Sequence, residues 1–216
     1  MLNLALSGRR ERLRILCLGA HSDDIEIGCG GTVLRLLEEN PGAEVQWVVL
    51  AASGPRKAEA DRSAQSFLAR AQRKEIILRE FRDGYFPYLG GEIKDFFESL
   101  KRESDPDLIL THFRDDLHQD HRVVSQLTWN TFRNHLILEY EIVKYDGDLG
   151  APNFFVLLSE AQVRRKVQLI LECFESQRKK NWFTEDAFYS ILRLRGVESN
   201  APSKYAEAFY SRKIAC

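Results

Sequence analysis

The sequence predicts an α/β protein with a mostly parallel central sheet that is covered by helices on both faces. Short, continuously apolar runs recur along the chain, as in strands buried on both faces. Stretches with apolar residues at helical spacing separate these runs, and such alternation produces βαβ units with parallel strands. With 216 residues, of which 44% are hydrophobic and 29% charged, the chain is long enough to bury the core of one globular domain.

The first half of the chain alternates clearly between the two patterns. Residues 1–13 form a polar lead-in, and residues 14–19 are the first predicted strand. The glycine cluster at 28–31 predicts a tight turn into a helix at 33–39, because glycine tolerates conformations that other residues avoid. The same patterns then predict a strand at 44–52, a helix at 56–72, a strand at 75–81, a helix at 92–103 and a strand at 107–111.

The second half continues the alternation and becomes mixed toward its end. The predicted elements are a helix at 122–132, strands at 136–140 and 153–158, a helix at 160–174, a helix near 186–194 and a final strand at 205–211. We expect residues 175–216 to pack on the same domain as a C-terminal extension. No internal repeat, low-complexity segment or linker divides the sequence, so residues 1–216 are predicted to be a single domain.

Composition excludes several classes of function. The net charge of −1 provides no electrostatic surface for nucleic acid or an anionic membrane. The four cysteines (Cys17, Cys29, Cys173 and Cys216) are far apart, which argues against a disulfide scaffold and a thiolate zinc site. No secretory signal is evident, and no apolar run approaches the ~20 residues of a transmembrane helix. We expect a reduced, cytoplasmic protein; a homo-oligomer is compatible with the sequence.

Two short stretches carry the residues suited to chemistry. Residues 20–24, Ala-His-Ser-Asp-Asp, follow the first predicted strand, and residues 116–121, Asp-Leu-His-Gln-Asp-His, follow the fourth. They contain three of the five histidines and four aspartates. In proteins with a parallel sheet, ligands bind beyond the carboxyl ends of the strands. We therefore predict that the two stretches meet in one catalytic metal site.

Histidine and carboxylate ligands suit Zn²⁺, and a catalytic zinc keeps three protein ligands with one position open. His21 and Asp24, three residues apart, can reach one ion from a single turn, and His121 can supply the third ligand. Asp23 then points elsewhere and is free to act as a general base. We place His118 beside the substrate, where it can stabilise an oxyanion or protonate the leaving amine.

Two further carboxylates can support the histidine ligands. Asp116 and Asp120 are candidate acceptors for a histidine N–H, which would fix the tautomer of a ligand.

Other functions are compatible with parts of the same pattern. Two histidines and a carboxylate also form the facial triad of Fe(II) oxygenases, although that chemistry leaves Asp23 unexplained. The glycines do not have the spacing of a dinucleotide-binding loop. A binding protein that retains a silent metal site is the non-enzymatic alternative.

The two stretches resemble the motifs of the PIG-L/LmbE-like deacetylases, A-H-P-D-D and D-x-H-x-D-H. Shorter similarities are Arg-Lys-Ala-Glu at 56–59, Asp-Gly at 83–84, Ser-Gln at 176–177, Arg-Gly at 195–196 and Tyr-Ala-Glu-Ala-Phe at 205–209. Ser22 replaces the usual proline. Proline would fix the backbone φ angle at that turn, but the change removes neither a ligand nor a base.

The resemblance implies a zinc-dependent amidase with a Rossmann-like, three-layer fold. Such proteins remove the acetyl group from N-acetylglucosamine-type sugars, either small-molecule or lipid-linked, and release acetate and an amino sugar. Another divalent ion such as Fe²⁺, or another amide substrate, is compatible with the motifs. By position the family's functional residues correspond to His21, Asp24 and His121 as metal ligands, Asp23 as base, His118 as the second catalytic histidine, Asp120 as its acidic partner and Arg56 as a substrate contact.

Overall fold

The structure, a computed structural model, describes residue 6 and residues 12–214, so most of the predicted lead-in lies outside the described residues. In chain order these residues form β1 (Arg14–His21), α1 (Asp24–Glu39), β2 (Glu44–Ala51), α2 (Pro55–Phe67), β3 (Arg73–Leu78), α3 (Gly90–Glu103), β4 (Leu108–His112), α4 (Gln119–Thr131), β5 (Leu136–Tyr140), β6 (Phe154–Leu157), α5 (Glu160–Cys173), α6 (Glu185–Glu198) and β7 (Ala206–Ser211). Two short 3-10 helices, Phe86–Tyr88 and Glu175–Gln177, lie in the connections.

The strands form one sheet in the order β3-β2-β1-β4-β5-β7-β6. The first five strands in this order are parallel, and β7 runs antiparallel to both β5 and β6. Helices α1, α2, α5 and α6 pack against one another on one face, while α3 and α4 pack together on the other. Each face has its own apolar core. This architecture confirms the predicted Rossmann-like three-layer fold.

The strand order places the two functional stretches side by side. From β1 the chain proceeds outward through β2 and β3, and then returns to β4 on the other side of β1. Leu16 pairs with Ile109 in register, so β1 and β4 end at neighbouring positions. A crevice forms beyond such strands, where the order of the sheet reverses. His21 and His112, the last residues of the two strands, lie at this crevice.

The predicted glycine turn is wrong, because α1 begins at Asp24 and runs through the glycine cluster. These glycines allow close packing instead of a turn. A Cβ atom on Gly28 would lie 2.1 Å from the ring of Tyr140, and one on Gly30 would lie 2.6 Å from the ring of Phe67. Helix α1 can therefore approach the sheet and α2 closely only where side chains are absent.

The cysteines and the membrane expectation are also addressed by the structure. Cys17, Cys29 and Cys173 are buried free thiols, whereas Cys216 lies outside the described residues. Burial raises the pKa of the Cys17 thiol, which keeps it protonated and inert. Within residue 6 and residues 12–214, no helix combines the length and the apolar character that crossing a membrane requires.

Candidate metal and acid–base site

The two stretches converge at the crevice and bring the three predicted ligand atoms together. Nδ1 of His21, at the end of β1, lies 3.1 Å from Nε2 of His121, in the first turn of α4. Oδ2 of Asp24, the first residue of α1, lies 3.3 Å from the former atom and 3.5 Å from the latter. All three side chains are buried. The backbone N–H of His21 also donates to Oδ2 of Asp24 at 2.7 Å, which fixes the turn between them.

This triangle of atoms fits a single divalent ion. Ligands bound tetrahedrally to zinc at 2.0–2.2 Å lie about 3.3–3.6 Å from one another. The separations of 3.3 and 3.5 Å fall in this range, and the 3.1 Å between His21 and His121 is slightly shorter. Two imidazoles and one carboxylate suit both Zn²⁺ and Fe²⁺.

Outer carboxylates select the histidine tautomers that this geometry needs. Nδ1 of His121 lies 3.0 Å from Oδ2 of Asp116. Nε2 of His21 lies 3.3 Å from Oδ2 of Asp120 and 3.1 Å from Oδ1 of Asp83. A ring N–H directed at each carboxylate leaves the opposite nitrogen with a free lone pair. Those opposite nitrogens are the two that belong to the triangle, an arrangement typical of metal-binding histidines.

The three residues of the triangle differ in the direction of their pKa shifts. Burial, followed by the neighbouring His112, lowers the pKa of His121 to about 4, so its ring is neutral. Burial alone would also lower the pKa of His21, but Asp24 and the other surrounding carboxylates raise it well above its usual range. Burial opposes ionisation of Asp24, yet the neighbouring His121 and His21 hold the pKa of this carboxyl well below its usual range.

Asp23 lies beside the triangle and keeps one oxygen free. Its Oδ1 accepts a 2.7 Å hydrogen bond from Nη2 of Arg56. Its Oδ2 is buried and has no hydrogen-bond partner in the part of the chain that the structure describes. Burial raises the pKa of Asp23, and the positive charge of Arg56 opposes that shift. A buried carboxylate oxygen without a donor can accept a proton, as a general base requires.

These residues line one side of an open cavity of about 350 Å³. The lining includes the residues of the two stretches and residues from the second half of the chain: His21, Asp23, Asp24, Arg56, Asp83, His118, His121, Ile142, Lys144, Tyr145, Asp146, Lys180 and Trp182. The predicted metal site is therefore accessible to a small-molecule group, and residues from the second half of the chain complete its walls.

His118 caps α4, and its ring lies against those of the two predicted ligands, His21 and His121. Its Nδ1 accepts the backbone N–H of Asp120 at 3.3 Å, so a neutral ring carries its proton on Nε2. Burial, and then the charge of His21, lowers the pKa of His118 and favours this neutral form. Its nitrogen lies within 4.8 Å of nitrogens of His21 and His121, so it shares their space.

The carboxylate of Asp120 lies against His21 and the loop after β3, and its expected pairing with His118 remains a prediction. Only the backbone N–H of Asp120 reaches His118. Its carboxylate is directed away, toward the loop after β3, where it accepts the N–H of Gly84 at 2.6 Å and that of Phe86 at 3.1 Å. The same carboxylate lies 3.3 Å from Nε2 of His21. Because side chains at helix positions two apart diverge, the carboxylate of Asp120 contacts His21 and that loop. It acts on His118 through its charge, which opposes the lowering of the His118 pKa.

Asp83 is a site residue that sequence reasoning did not select. It is the first residue of the Asp-Gly pair after the third predicted strand, and its side chain is 60% exposed. A hydrogen bond from His21, 3.1 Å away, lowers the pKa of Asp83 to about 2. Its other oxygen lies 3.6 Å from Nη1 of Arg56. The resemblance of this pair to family members was the available signal.

His112 lies against the site but is not placed to bind the ion. Its Nε2 accepts the backbone N–H of Ala20 at 2.9 Å, which occupies the lone pair that a ligand would need. Its ring stacks on His121 with the centroids 3.9 Å apart. Although its Nε2 lies 3.2 Å from Oδ2 of Asp24, these contacts make His112 a support for the two ligands.

Comparison with known proteins agrees with the motifs. Residues 16–132, more than half of the chain, match the sequence model of the PIG-L family, described as GlcNAc-PI de-N-acetylase. None of the curated proteins matches the sequence significantly.

Solved structures show the same fold at low sequence identity. The conserved protein TT1542 from Thermus thermophilus is 21% identical, with a TM-score of 0.72 over 94% of this chain and 96% of that chain. The N,N'-diacetylchitobiose deacetylase from Pyrococcus horikoshii is 22% identical, with a TM-score of 0.72 over 92% and 83%. GalB, the 4-carboxy-2-hydroxymuconate hydratase from Pseudomonas putida, is 17% identical, with a TM-score of 0.66 over 94% and 98%. Because a deacetylase and a hydratase share this fold, the reaction must be argued from the site.

Proposed function

The chain belongs to the PIG-L family of GlcNAc-PI de-N-acetylases, and from this premise we propose that it is a metal-dependent N-deacetylase. Its substrate would be an N-acetylglucosamine-type sugar or glycoconjugate, either free or lipid-linked, and its products acetate and an amino sugar. One observation carries the proposal. The buried triangle of His21, Asp24 and His121 lies beside a carboxylate, Asp23, that has one free oxygen.

His21, Asp24 and His121 would hold the ion. We propose Zn²⁺, and Fe²⁺ suits the same ligands. When bound, the ion supplies Lewis-acid polarisation of the acetamide carbonyl and of the attacking water. Asp116 and Asp120 keep the two imidazoles in the ligand tautomers, through their contacts at 3.0 and 3.3 Å.

Asp23 would accept the proton of the attacking water. Since Arg56 occupies Oδ1, the free Oδ2 is the atom that takes the proton. The guanidinium also fixes the orientation of the carboxylate, which a general base needs for in-line transfer. Water adds to the acetamide carbon, the C–N bond breaks, and the proton taken by Asp23 is available for the departing nitrogen.

His118 would act on the other side of the acetamide. With Nδ1 accepting a backbone N–H, its Nε2–H is a donor even when the ring is neutral. A hydrogen bond from Nε2–H to the acetamide oxygen becomes stronger as negative charge develops there. Because the lowered pKa of His118 favours a neutral ring, His118 can protonate the leaving nitrogen only after it takes up the proton that Asp23 removed from the water.

Arg56 would serve both the base and the substrate. Its side chain is 23% exposed and lines the cavity while Nη2 binds Asp23. A planar guanidinium that lines the cavity suits a sugar hydroxyl or a phosphate. The predicted substrate contact therefore stays part of the proposal, with an added role in orienting Asp23.

An acetate-release screen tests the proposal. Purified protein, loaded with zinc or anaerobically with Fe²⁺, is assayed on N-acetylglucosamine, its disaccharide and lipid-linked conjugates, with Asp23→Asn as the inactive control. Release without oxygen supports the hydrolase and excludes the oxygenase alternative. Release only from amides that are not sugars would support the alternative amidase. Bound metal with no release from any amide would support a binding protein.

A further inference from the structure

The loop between β5 and β6 closes on itself and forms one wall of the cavity. Within this connection, residues 141–150 form a closed segment, because the N–H of Gly150 donates to Oε1 of Glu141 at 3.0 Å. Nη2 of Arg195, from α6, binds Oε2 of Glu141 at 2.8 Å and the carbonyl oxygen of Gly150 at 3.1 Å. A surface loop whose ends are tied together in this way behaves as a compact unit.

A buried lysine ties the middle of this loop to the metal site. Nζ of Lys144 lies 3.1 Å from Oδ2 of Asp116 and also binds Oδ2 of Asp148. Asp148 in turn accepts the backbone N–H of Leu117 at 2.7 Å. The side chains of Lys144, Asp148 and Asp116 are only 9%, 7% and 2% exposed. This ion-paired group is therefore shielded from solvent, unlike a surface pair.

Through Asp116, Lys144 is linked to both His118 and His121. That carboxylate accepts the ring N–H of His121 at 3.0 Å and the backbone N–H of His118 at 2.7 Å. Lys144 contacts the carboxylates of both Asp116 and Asp148, so without it these two shielded like charges would lose their shared cation and repel each other. The cation thus holds the loop against the segment that carries the site histidines.

The part of the loop held in place faces the cavity. Ile142, Tyr145 and Asp146 line the same cavity as Asp23, the predicted base. Tyr145 is 70% exposed, and Gly147 adopts a φ of 62°, which turns the chain sharply behind these residues. An aromatic ring beside a carboxylate suits a hydroxyl-bearing ring, which stacks on the former and donates to the latter.

We propose that Lys144 is a positioning residue that latches residues 141–150 against Asp116. The latched loop forms a wall that contacts the substrate beyond its acetamide group, through Tyr145 and Asp146. The latch follows from the contacts alone, whereas the wall's role in deacetylation rests on the proposed function.

Amide hydrogen exchange of the metal-loaded full-length protein tests the latch without any substrate. In Lys144→Met, exchange of the Leu117 amide should accelerate by at least about tenfold, because its acceptor Asp148 is released. The Gly150 amide, which Arg195 and Glu141 hold independently, should not change. Lys101→Met, which removes an exposed lysine from α3, is the matched control. Unchanged exchange at Leu117 would overturn the proposal.

A rescue variant guards against a general loss of structure. Lys144→Met should also lower the thermal midpoint. In Lys144→Met/Asp148→Asn only one of the two carboxylates remains, so the repulsion disappears. The thermal midpoint and the exchange of the Leu117 amide, whose N–H the asparagine oxygen can still accept, should then return toward wild type. Lys144→Arg should retain the slow Leu117 amide. If the double variant is as perturbed as Lys144→Met, charge compensation is not the function of the lysine and the latch is wrong.

Kinetics with N,N'-diacetylchitobiose as the probe test the wall. Lys144→Met should lower kcat/KM about tenfold, at the lower end of the cost of losing an outer-shell partner, mainly through KM. Its metal content should equal that of wild type. A fall in kcat together with loss of metal would assign Lys144 to the ligands and reject the wall. If wild type releases no acetate from any N-acetyl sugar, the proposed function fails, while the exchange result still decides the latch.

Discussion

Replacing Asp23 with asparagine should abolish catalysis and leave the metal in place. Oδ1 of Asp23 binds Arg56 at 2.7 Å, and Oδ2 has no partner among the described residues. Asparagine can keep the first contact with its own oxygen and place its amide nitrogen at the free position. Asp23→Asn therefore preserves the shape and the contact with the guanidinium, and it removes only the capacity to accept a proton.

The expected loss follows from the role of the free oxygen. A general base contributes about 10²–10⁴-fold to the rate, which corresponds to about 2.7–5.4 kcal/mol in the activation free energy. The contact with Arg56 survives, so KM should change little. Asp24→Asn differs, because Oδ2 of Asp24 lies within 3.3 and 3.5 Å of the ligand nitrogens of His21 and His121. That variant should weaken metal binding.

The assay combines steady-state kinetics with elemental analysis of the same preparations. We expect Asp23→Asn to hold as much metal as wild type, to unfold at a similar temperature and to lose at least about a hundredfold in kcat. Asp24→Asn should lose metal under a mild chelator. If Asp23→Asn loses the ion while Asp24→Asn retains it, the two aspartates have been assigned the wrong way round.

Three further changes test other parts of the site and fold. His121→Ala should purify with far less than one equivalent of metal; an unchanged content would remove it from the ligand set. Arg56→Ala should lower kcat and raise KM, since it removes both the donor to Asp23 and a cation at the cavity. Unchanged kinetics would mean that Arg56 has no role in catalysis or substrate binding. Gly28→Ala should lower the free energy of unfolding by about 1–3 kcal/mol, because its Cβ would lie 2.1 Å from the ring of Tyr140. A thermal melt equal to wild type would contradict that packing.

The sequence was sufficient to predict the sheet and the meeting of the two motifs. Apolar runs mark buried strands without knowledge of their neighbours, and parallel strands bring their carboxyl ends to one edge. His21, Asp24 and His121 could therefore be predicted to meet, and the structure brings their ligand atoms within 3.5 Å of one another. The topology of a parallel sheet was enough to place the two motifs, which are far apart in sequence, beside each other.

Other features could not be predicted because they depend on contacts between distant segments. The glycine cluster resembles a turn in the local sequence. The structure shows that Gly28 leaves room for the ring of Tyr140, a residue more than 100 positions later in the chain. The direction of the Asp120 carboxylate depends on the backbone N–H groups of Gly84 and Phe86, which donate to it. No local sequence pattern reveals these contacts. Lys144 likewise has no motif, and only folding brings it to Asp116.

The concentration of carboxylates around His21 suggests how protons and metal compete at the site. Asp24, Asp83 and Asp120 each place an oxygen within 3.3 Å of its ring nitrogens. Burial disfavours a charged ring, yet these carboxylates outweigh burial and raise the pKa of His21. A divalent cation in contact with Asp24 meets the same need for positive charge. Binding the ion must therefore displace a proton from His21, and metal affinity should fall as pH falls. Burial and the neighbouring His112 lower the pKa of His121 to about 4, so protons compete for this predicted ligand only at more acidic pH.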